Sequence, residues 1–211
     1  MRSKPSFTPK SLGGLGFKRL SQFNISLLGK QGWRLLTCPN ALFTRVFKAP
    51  YFRESGFLEA VLGSDLSYVW RSILDAQGLI ANNIGRRIGN GRDTYLWHDP
   101  WLLSSDNPRL ATPVPAGYGD AAVASLMIGD RWNEPIVNTL LHPIDSAAVL
   151  RTPISLDFED CWFWRRDTNG LYSVKSGYRA LTEGVEAPAG DFTAWTTVGI
   201  SRAKSQSSCL P

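Results

Sequence analysis

Leu20-Ser21-Gln22-Phe23-Asn24-Ile25-Ser26-Leu27-Leu28-Gly29-Lys30-Gln31-Gly32-Trp33-Arg34-Leu35-Leu36 repeats its apolar positions at helical spacing. Leu20, Phe23, Leu27, Leu28, Gln31 and Leu35 fall along one side, which predicts an amphipathic helix with that side inward. Lys30 and Arg34 stand one turn apart on a flank of it and can point outward together. Pro39 stops this helix. Asn40 can cap a second one from Ala41 to about Lys48, with Leu42, Phe43, Val46 and Phe47 as its apolar side, and Pro50 ends it.

Residues 1–19 read as a basic, flexible lead-in. A loop over 51–66 precedes Ser67, a good N-cap for a third helix through Gln77 with Trp70, Ile73 and Leu74 inward and Gly78 just past its end. The period then changes. Ile84–Ile88 and Thr94–Trp97 flank Gly89-Asn90-Gly91, which predicts a β-hairpin. Residues 98–120 collect Asp99-Pro100, Asn107-Pro108, Pro113, Pro115, Gly117 and Gly119, and read as an irregular linker and a domain boundary. Val123–Ile128 is a short apolar run of either type. Asn133 can cap a helix from Glu134 to Leu141, and Asp145 another to Leu150. Asp160–Arg165 and Leu171–Val174 flank Asn169-Gly170, a second hairpin signal. Lys175–Glu183 reads as a helix. From Gly184 onward Gly, Ala, Ser and Thr prevail, and residues 184–211 are expected to be a disordered or aberrant tail. The expected fold class is α+β and mainly helical, with a basic helical N-terminal part, one or two β-hairpins and long irregular loops.

Charge sharpens the division. Between Met1 and Arg53 the chain carries 10 Lys and Arg and no Asp or Glu. Residues 1–100 hold 14 basic and 6 acidic side chains, whereas 101–211 hold 9 basic and 12 acidic. One-signed charge attracts a polyanion, and release of condensed counterions from nucleic acid favours the complex. Lys18, Arg19, Lys30, Arg34, Arg45, Lys48 and Arg53 are therefore the candidate phosphate contacts. The interleaved aromatics Phe23, Phe43, Phe47 and Trp70 are assigned to the core.

Other chemistries find no support. His98 and His142 lie far from any cysteine and from each other, so no metal site is expected. Cys38, Cys161 and Cys209 are widely spaced, against a disulfide framework and in keeping with a reducing compartment. No nucleophile has a base beside it. Gly13-Gly14-Leu15-Gly16 lacks the Lys-Ser/Thr end of a phosphate loop. Glu159-Asp160 reads as solvated acids before a buried strand. No apolar run reaches membrane-spanning length. The expectation is a non-enzymatic protein with no cofactor, no small-molecule substrate and no membrane partner, binding RNA or DNA. It is expected inside the cell, in nucleus or cytoplasm, with the mitochondrion as the alternative.

Several runs are familiar. Pro9-Lys10-Ser11-Leu12-Gly13-Gly14-Leu15-Gly16-Phe17, then Phe23-Asn24 and Leu27 to Leu36, then Phe47-Lys48-Ala49-Pro50-Tyr51-Phe52, Ser67 to Leu74, Ile88-Gly89-Asn90-Gly91, Trp97-His98-Asp99-Pro100-Trp101-Leu102 and Tyr172 to Tyr178 resemble, in order and spacing, the reverse transcriptase polyprotein of plant LINE-type (non-LTR) retrotransposons. The resemblance covers about Pro9 to Leu181. It implies that 20–97 is a thumb-like part gripping a template–primer duplex (RNA–DNA or DNA), and that 121–183 leads into a truncated zinc-binding segment that is only begun near Tyr172. The paired palm aspartates of that family are absent, which implies a catalytically inactive remnant. Arg19 stands where the family often has Asp, and Pro50 where it usually has Arg or Lys. The alternative reading is a fragment without nucleic-acid binding, with Trp162, Trp164 and Trp195 exposed and partner-seeking.

Overall fold

The computed structural model of the chain describes residues 20–63, 67–103 and 107–182. They form an α+β fold of seven helices and two small antiparallel sheets. The chain gathers into two compact units, each discontinuous in sequence. Among described residues the first holds 20–36, 42–63, 67–82 and 172–182, and the second holds 37–41, 83–103 and 107–171. The described residues of the expected linker, 98–103 and 107–120, fall in the second unit and bury Trp101, Leu102, Leu110 and Thr112.

In the first unit α1 (Leu20–Thr37) forms where its periodicity predicts, and Leu35 is buried as expected, but the rest of the buried side differs. Ser26, Gly29, Gly32, Trp33 and Leu35 face inward, whereas Leu20 is 74% and Leu27 44% exposed. The bulk on this side comes from other segments. The Tyr172 hydroxyl lies against Gly29, and the Phe57 ring lies against Gly32 so closely that a β-carbon there would sit 2.9 Å from it. Tyr172 donates to the Ser26 carbonyl at 2.7 Å and stacks on Trp33. Small residues on α1 are what permit this approach.

Helix α2 (Leu42–Tyr51) carries Pro50 inside its last turn instead of ending before it. Pro50 has no N–H for the carbonyl of Val46 four residues earlier, so the last turn lacks one ladder bond, at a residue that is exposed. Phe47, Tyr51 and Phe52 converge on Trp70, which is fully buried; Tyr51 and Trp70 stack with centroids 4.9 Å apart. Trp70 belongs to α3 (Tyr68–Asp75), capped as expected by Ser67, whose Oγ accepts from the Trp70 N–H at 3.4 Å. The chain breaks at Ala76 and resumes as α4 (Gln77–Ala81), so Gly78 lies within a helix rather than past one. The Gln77 amide donates to the carbonyls of Phe57, Leu58 and Ala60, fastening the preceding loop. Helix α7 (Val174–Thr182) completes this unit.

In the second unit neither predicted hairpin forms. β1 (Ile84–Arg87) pairs antiparallel with β4 (Cys161–Trp164), Ile84 opposite Trp164 and Arg87 opposite Cys161. The Gly89-Asn90-Gly91 turn wraps the Asp160 carboxylate. That group accepts from the N–H of Gly89 (2.7 Å), Gly91 (2.9 Å) and Asp93 (3.1 Å) and from the Thr94 hydroxyl (2.6 Å). Gly91 has φ +70°, a conformation that favours glycine. Asp160 is therefore not a solvated acid: it satisfies donors that a local return strand would otherwise have taken. Asn169-Gly170 does make a turn, with Gly170 at φ +67°, but no strand follows it. Trp164 is fully buried, against the expectation of exposure, and Trp195 lies outside the described residues.

A 3₁₀ turn (Val123–Leu126) and β2 (Met127–Ile128) occupy the apolar run of either type, and β2 pairs in a short hairpin with β3 (Arg131–Trp132) just beyond it. Asn133 caps α5 (Glu134–Leu140) as predicted. Helix α6 (Pro143–Arg151) starts two residues before Asp145, whose buried carboxylate accepts instead from the Thr112 N–H and hydroxyl. The core is Ile88, Leu96, Trp97, Trp101, Leu126, Val137 and Val149 with their neighbours. The expected tail over 184–211 and the lead-in over 1–19 lie outside the described residues.

Two substitutions test these contacts. Gly29→Ala places a methyl against the Tyr172 hydroxyl and should lower stability by about 1–3 kcal/mol. Gly78→Ala meets nothing within 4 Å and should be neutral or stabilising, since alanine is the better helix former. Urea unfolding of the two variants distinguishes them. Asp160→Ala strands several loop donors at once and should cost about 3 kcal/mol by the same measurement. A loss within error would mean that water replaces the carboxylate and that Asp160 does not shape the loop.

Candidate nucleic-acid interface

Of the seven candidate cations, Lys18 and Arg19 lie outside the described residues; the other five belong to the first unit and are exposed. Lys30 and Arg34 project from one flank of α1, as their spacing requires. The Lys30 ammonium donates to the Tyr172 carbonyl at 3.1 Å. An ammonium has three donors, so two N–H groups stay available for a phosphate. The Arg34 guanidinium rests over the Phe43 ring, 5.1 Å from its centroid. This cation–π contact joins α1 to α2 and holds the guanidinium plane without neutralising it.

Arg45 and Lys48 stand about one turn apart on α2, and Arg53 follows its end. At roughly 100° per residue, Arg45 lies across the helix from Phe47, which is turned toward Trp70. Among the described residues no carboxylate lies within 4 Å of any of these five cations. Arg71, on α3, is a further exposed cation of the same unit that charge counting in 1–53 missed. The arrangement is two cation pairs on two helices tied together by Arg34 and Phe43. Exposed, unneutralised cations of this kind sum to an attractive field for a polyanion. The aromatics assigned to the core behave as such at Trp70, while Phe23, Phe43 and Phe47 are half-buried.

Among the described residues no group of three or more His, Cys, Asp and Glu is placed to hold a metal ion, and no helix is long and apolar enough to cross a membrane. Cys161 is exposed as a residue, yet desolvation pushes its thiol up, against the opposing pull of Arg87 and Arg86. A thiol held protonated is a poor nucleophile.

No family model matches the chain, and no solved structure matches it. Two curated proteins of Arabidopsis thaliana are similar to it. One, named "Uncharacterized mitochondrial protein", is 38% identical over 103 residues, which cover 49% of this chain and 63% of that protein. The other, named "Putative ribonuclease H protein", is 29% identical over 191 residues, covering 83% of this chain and 29% of that protein. The chain thus spans about three fifths of one relative and under a third of the other.

Tyr172, which anchors Lys30, gives a pH test. Burial pushes its hydroxyl well above the ordinary value of 10.0. A raised value in the folded state means that the stabilisation is complete below pH 10 and is lost as pH rises beyond it. Tyr172→Phe should lose about 1 kcal/mol at neutral pH with the Ser26 hydrogen bond. Its stability should then fall less steeply above pH 10 than that of the unaltered chain, followed by urea unfolding across pH. Parallel pH profiles for the two proteins would show that this hydroxyl does not titrate with unfolding.

Proposed function

We propose that this chain is a catalytically inactive piece of a non-LTR retrotransposon reverse transcriptase polyprotein, from the thumb-like region to the start of a zinc-binding segment. Its remaining capability is sequence-independent binding of RNA or DNA. The motif order from Pro9 to Leu181 supports the origin. Similarity to part of a much longer protein named "Putative ribonuclease H protein" is compatible with it, because such polyproteins often carry a ribonuclease H region beyond this segment. The observation that carries the binding is the set Lys30, Arg34, Arg45, Lys48 and Arg53, all exposed, in one compact unit, with no carboxylate against them among the described residues. Lys18 and Arg19 stay in the proposal on charge and position in sequence only.

The mechanism is electrostatic. Each cation that reaches a phosphate releases condensed counterions, so affinity arises from many weak contacts and falls with salt. Base edges need not be read, because phosphate contacts position a protein without carrying sequence information. The alternative, a fragment that binds no nucleic acid, drew on exposed tryptophans; burial of Trp164 removes one of its supports.

A binding titration of the full chain against a fluorescein-labelled RNA–DNA hybrid across salt tests this. With roughly four phosphate contacts, log K should fall against log salt with a slope on the order of −3 to −4. The double variant Lys30→Gln with Arg34→Gln should flatten that slope by about 2. An unaltered chain that fails to bind at low salt would sink the proposal.

A further inference from the structure

The run Trp97-His98-Asp99-Pro100-Trp101-Leu102 leaves one side chain that packing does not explain. Trp97, Pro100, Trp101 and Leu102 are buried. The indole N–H of Trp97 donates to the Thr112 carbonyl at 3.0 Å, and that of Trp101 to the Leu96 carbonyl at 2.8 Å. The Asp99 carboxylate accepts from the Tyr95 N–H at 2.7 Å, and the Asp99 N–H donates back to the Tyr95 carbonyl at 3.2 Å. This reciprocal pair closes the turn over 95–99. His98 alone in the run is fully exposed, and its ring makes no hydrogen bond among the described residues.

Two other exposed side chains of the second unit meet His98. The Tyr95 ring, 52% exposed, stands across the His98 ring with centroids 6.5 Å apart and planes at 71°. The Arg109 Nε donates to the His98 carbonyl at 2.9 Å, and the terminal guanidinium nitrogens have no partner among the described residues. The backbone beneath is held as well: the Leu96 N–H donates to the Ala121 carbonyl at 2.8 Å and the Val123 N–H to the Thr94 carbonyl at 2.9 Å. The result is an open corner of two rings with a guanidinium beside it, on a turn that needs little further ordering to receive a ligand.

The chemistry of the corner selects what it takes. Tyrosine, histidine and arginine all offer planes on which an unstacked base can lie. Charge is nearly balanced here: Arg109 is one cation, whereas Asp99 is close by and Asp93 is exposed two residues before Tyr95. A bare phosphate gains little from such a site, but a base stacks without needing net charge. We propose that Tyr95, His98 and Arg109 form a stacking corner for one unpaired nucleobase, so that the second unit contributes a contact of a different kind from the cations of the first. The inference rests on the nucleic-acid binding proposed above. Stacking releases no condensed counterions, so its contribution should hold as salt rises while that of the cations falls.

The experiment titrates the full chain with two fluorescein-labelled RNA–DNA hybrids carrying a single-stranded overhang, one with its bases and one abasic with the same phosphates. The unaltered chain should bind the first about fivefold more tightly, by a factor that salt leaves unchanged. Tyr95→Ala should lower that affinity to the abasic level without altering the salt slope, and His98→Ala should do so in part. Lys30→Gln with Arg34→Gln should flatten the slope and keep the preference. Thermal unfolding first checks that each variant keeps a cooperative transition; should Tyr95→Ala lose it, Tyr95→Leu takes its place. If the unaltered chain shows no preference, or if the Tyr95 and His98 variants keep it or weaken both hybrids alike, the stacking corner is overturned and the binding reading stands. If the unaltered chain binds neither hybrid at low salt, both are overturned.

Discussion

Tyr172 is held at three points, two through its side chain and one through its backbone. Its hydroxyl donates to the Ser26 carbonyl, its ring stacks on Trp33, and its own carbonyl accepts from Lys30. Gly29 and Gly177 stand close against the same hydroxyl, so the seat exists only because neither position carries a β-carbon. The contact joins residues 146 apart in sequence. The entropy of closing so long a loop grows only slowly with length, and burial of one aromatic ring with its hydrogen bond offsets much of it. Without this seat α7 would have no reason to lie with the first unit, and the composition of the surface around α1 would change with it.

The second unit uses a different device to the same end. A single carboxylate, Asp160, collects four donors from a loop about seventy residues earlier in the chain. Charge-assisted hydrogen bonds of this kind are stronger than neutral ones. The neighbouring β1–β4 ladder is only four residues long, and such a short ribbon is marginal by itself. Carboxylate and ladder support one another. Arg86 strengthens the same region, with its guanidinium 4.6 Å from the Trp162 ring, its Nε donating to Thr94 and its Nη2 to the Asp93 carbonyl. A guanidinium so engaged is part of the scaffold and has little left for an external phosphate, which separates it from the exposed cations of the first unit.

What could be read in the sequence divides along the range of the forces involved. The existence of α1, α2, α3, α5 and α7 follows from local periodicity and caps, and Ser67 and Asn133 cap where their chemistry suggests. The buried side of α1 did not follow, because apolar spacing ranks Leu27 above Gly29. Only a tyrosine far along the chain makes the glycine side the better surface to bury. Both hairpins failed for a related reason. Gly89-Asn90-Gly91 and Asn169-Gly170 are genuine turn formers, but a turn selects a bend and not the strand that pairs after it. Asp145 misled in the same way: a good capping residue was claimed by Thr112, over thirty positions earlier. The candidate cations of the first unit were legible as charges.

The aromatic arrangement bears on the character of the proposed interface. Specific recognition of single strands uses exposed aromatic faces on which bases stack. Here Phe47, Tyr51 and Phe52 are turned to Trp70, and Phe43 is covered by Arg34. Phe47, Tyr51 and Phe52 are therefore spent on holding α2 and α3 together. Tyr68, at 85% exposure, is the exception, and it stands one turn from Arg71. A surface of cations with its stacking platforms turned inward is suited to following a backbone and poorly suited to distinguishing bases. The packing around Trp70 thus limits the proposed recognition to exposed cations on a fixed aromatic scaffold, whose contribution would fall as salt rises.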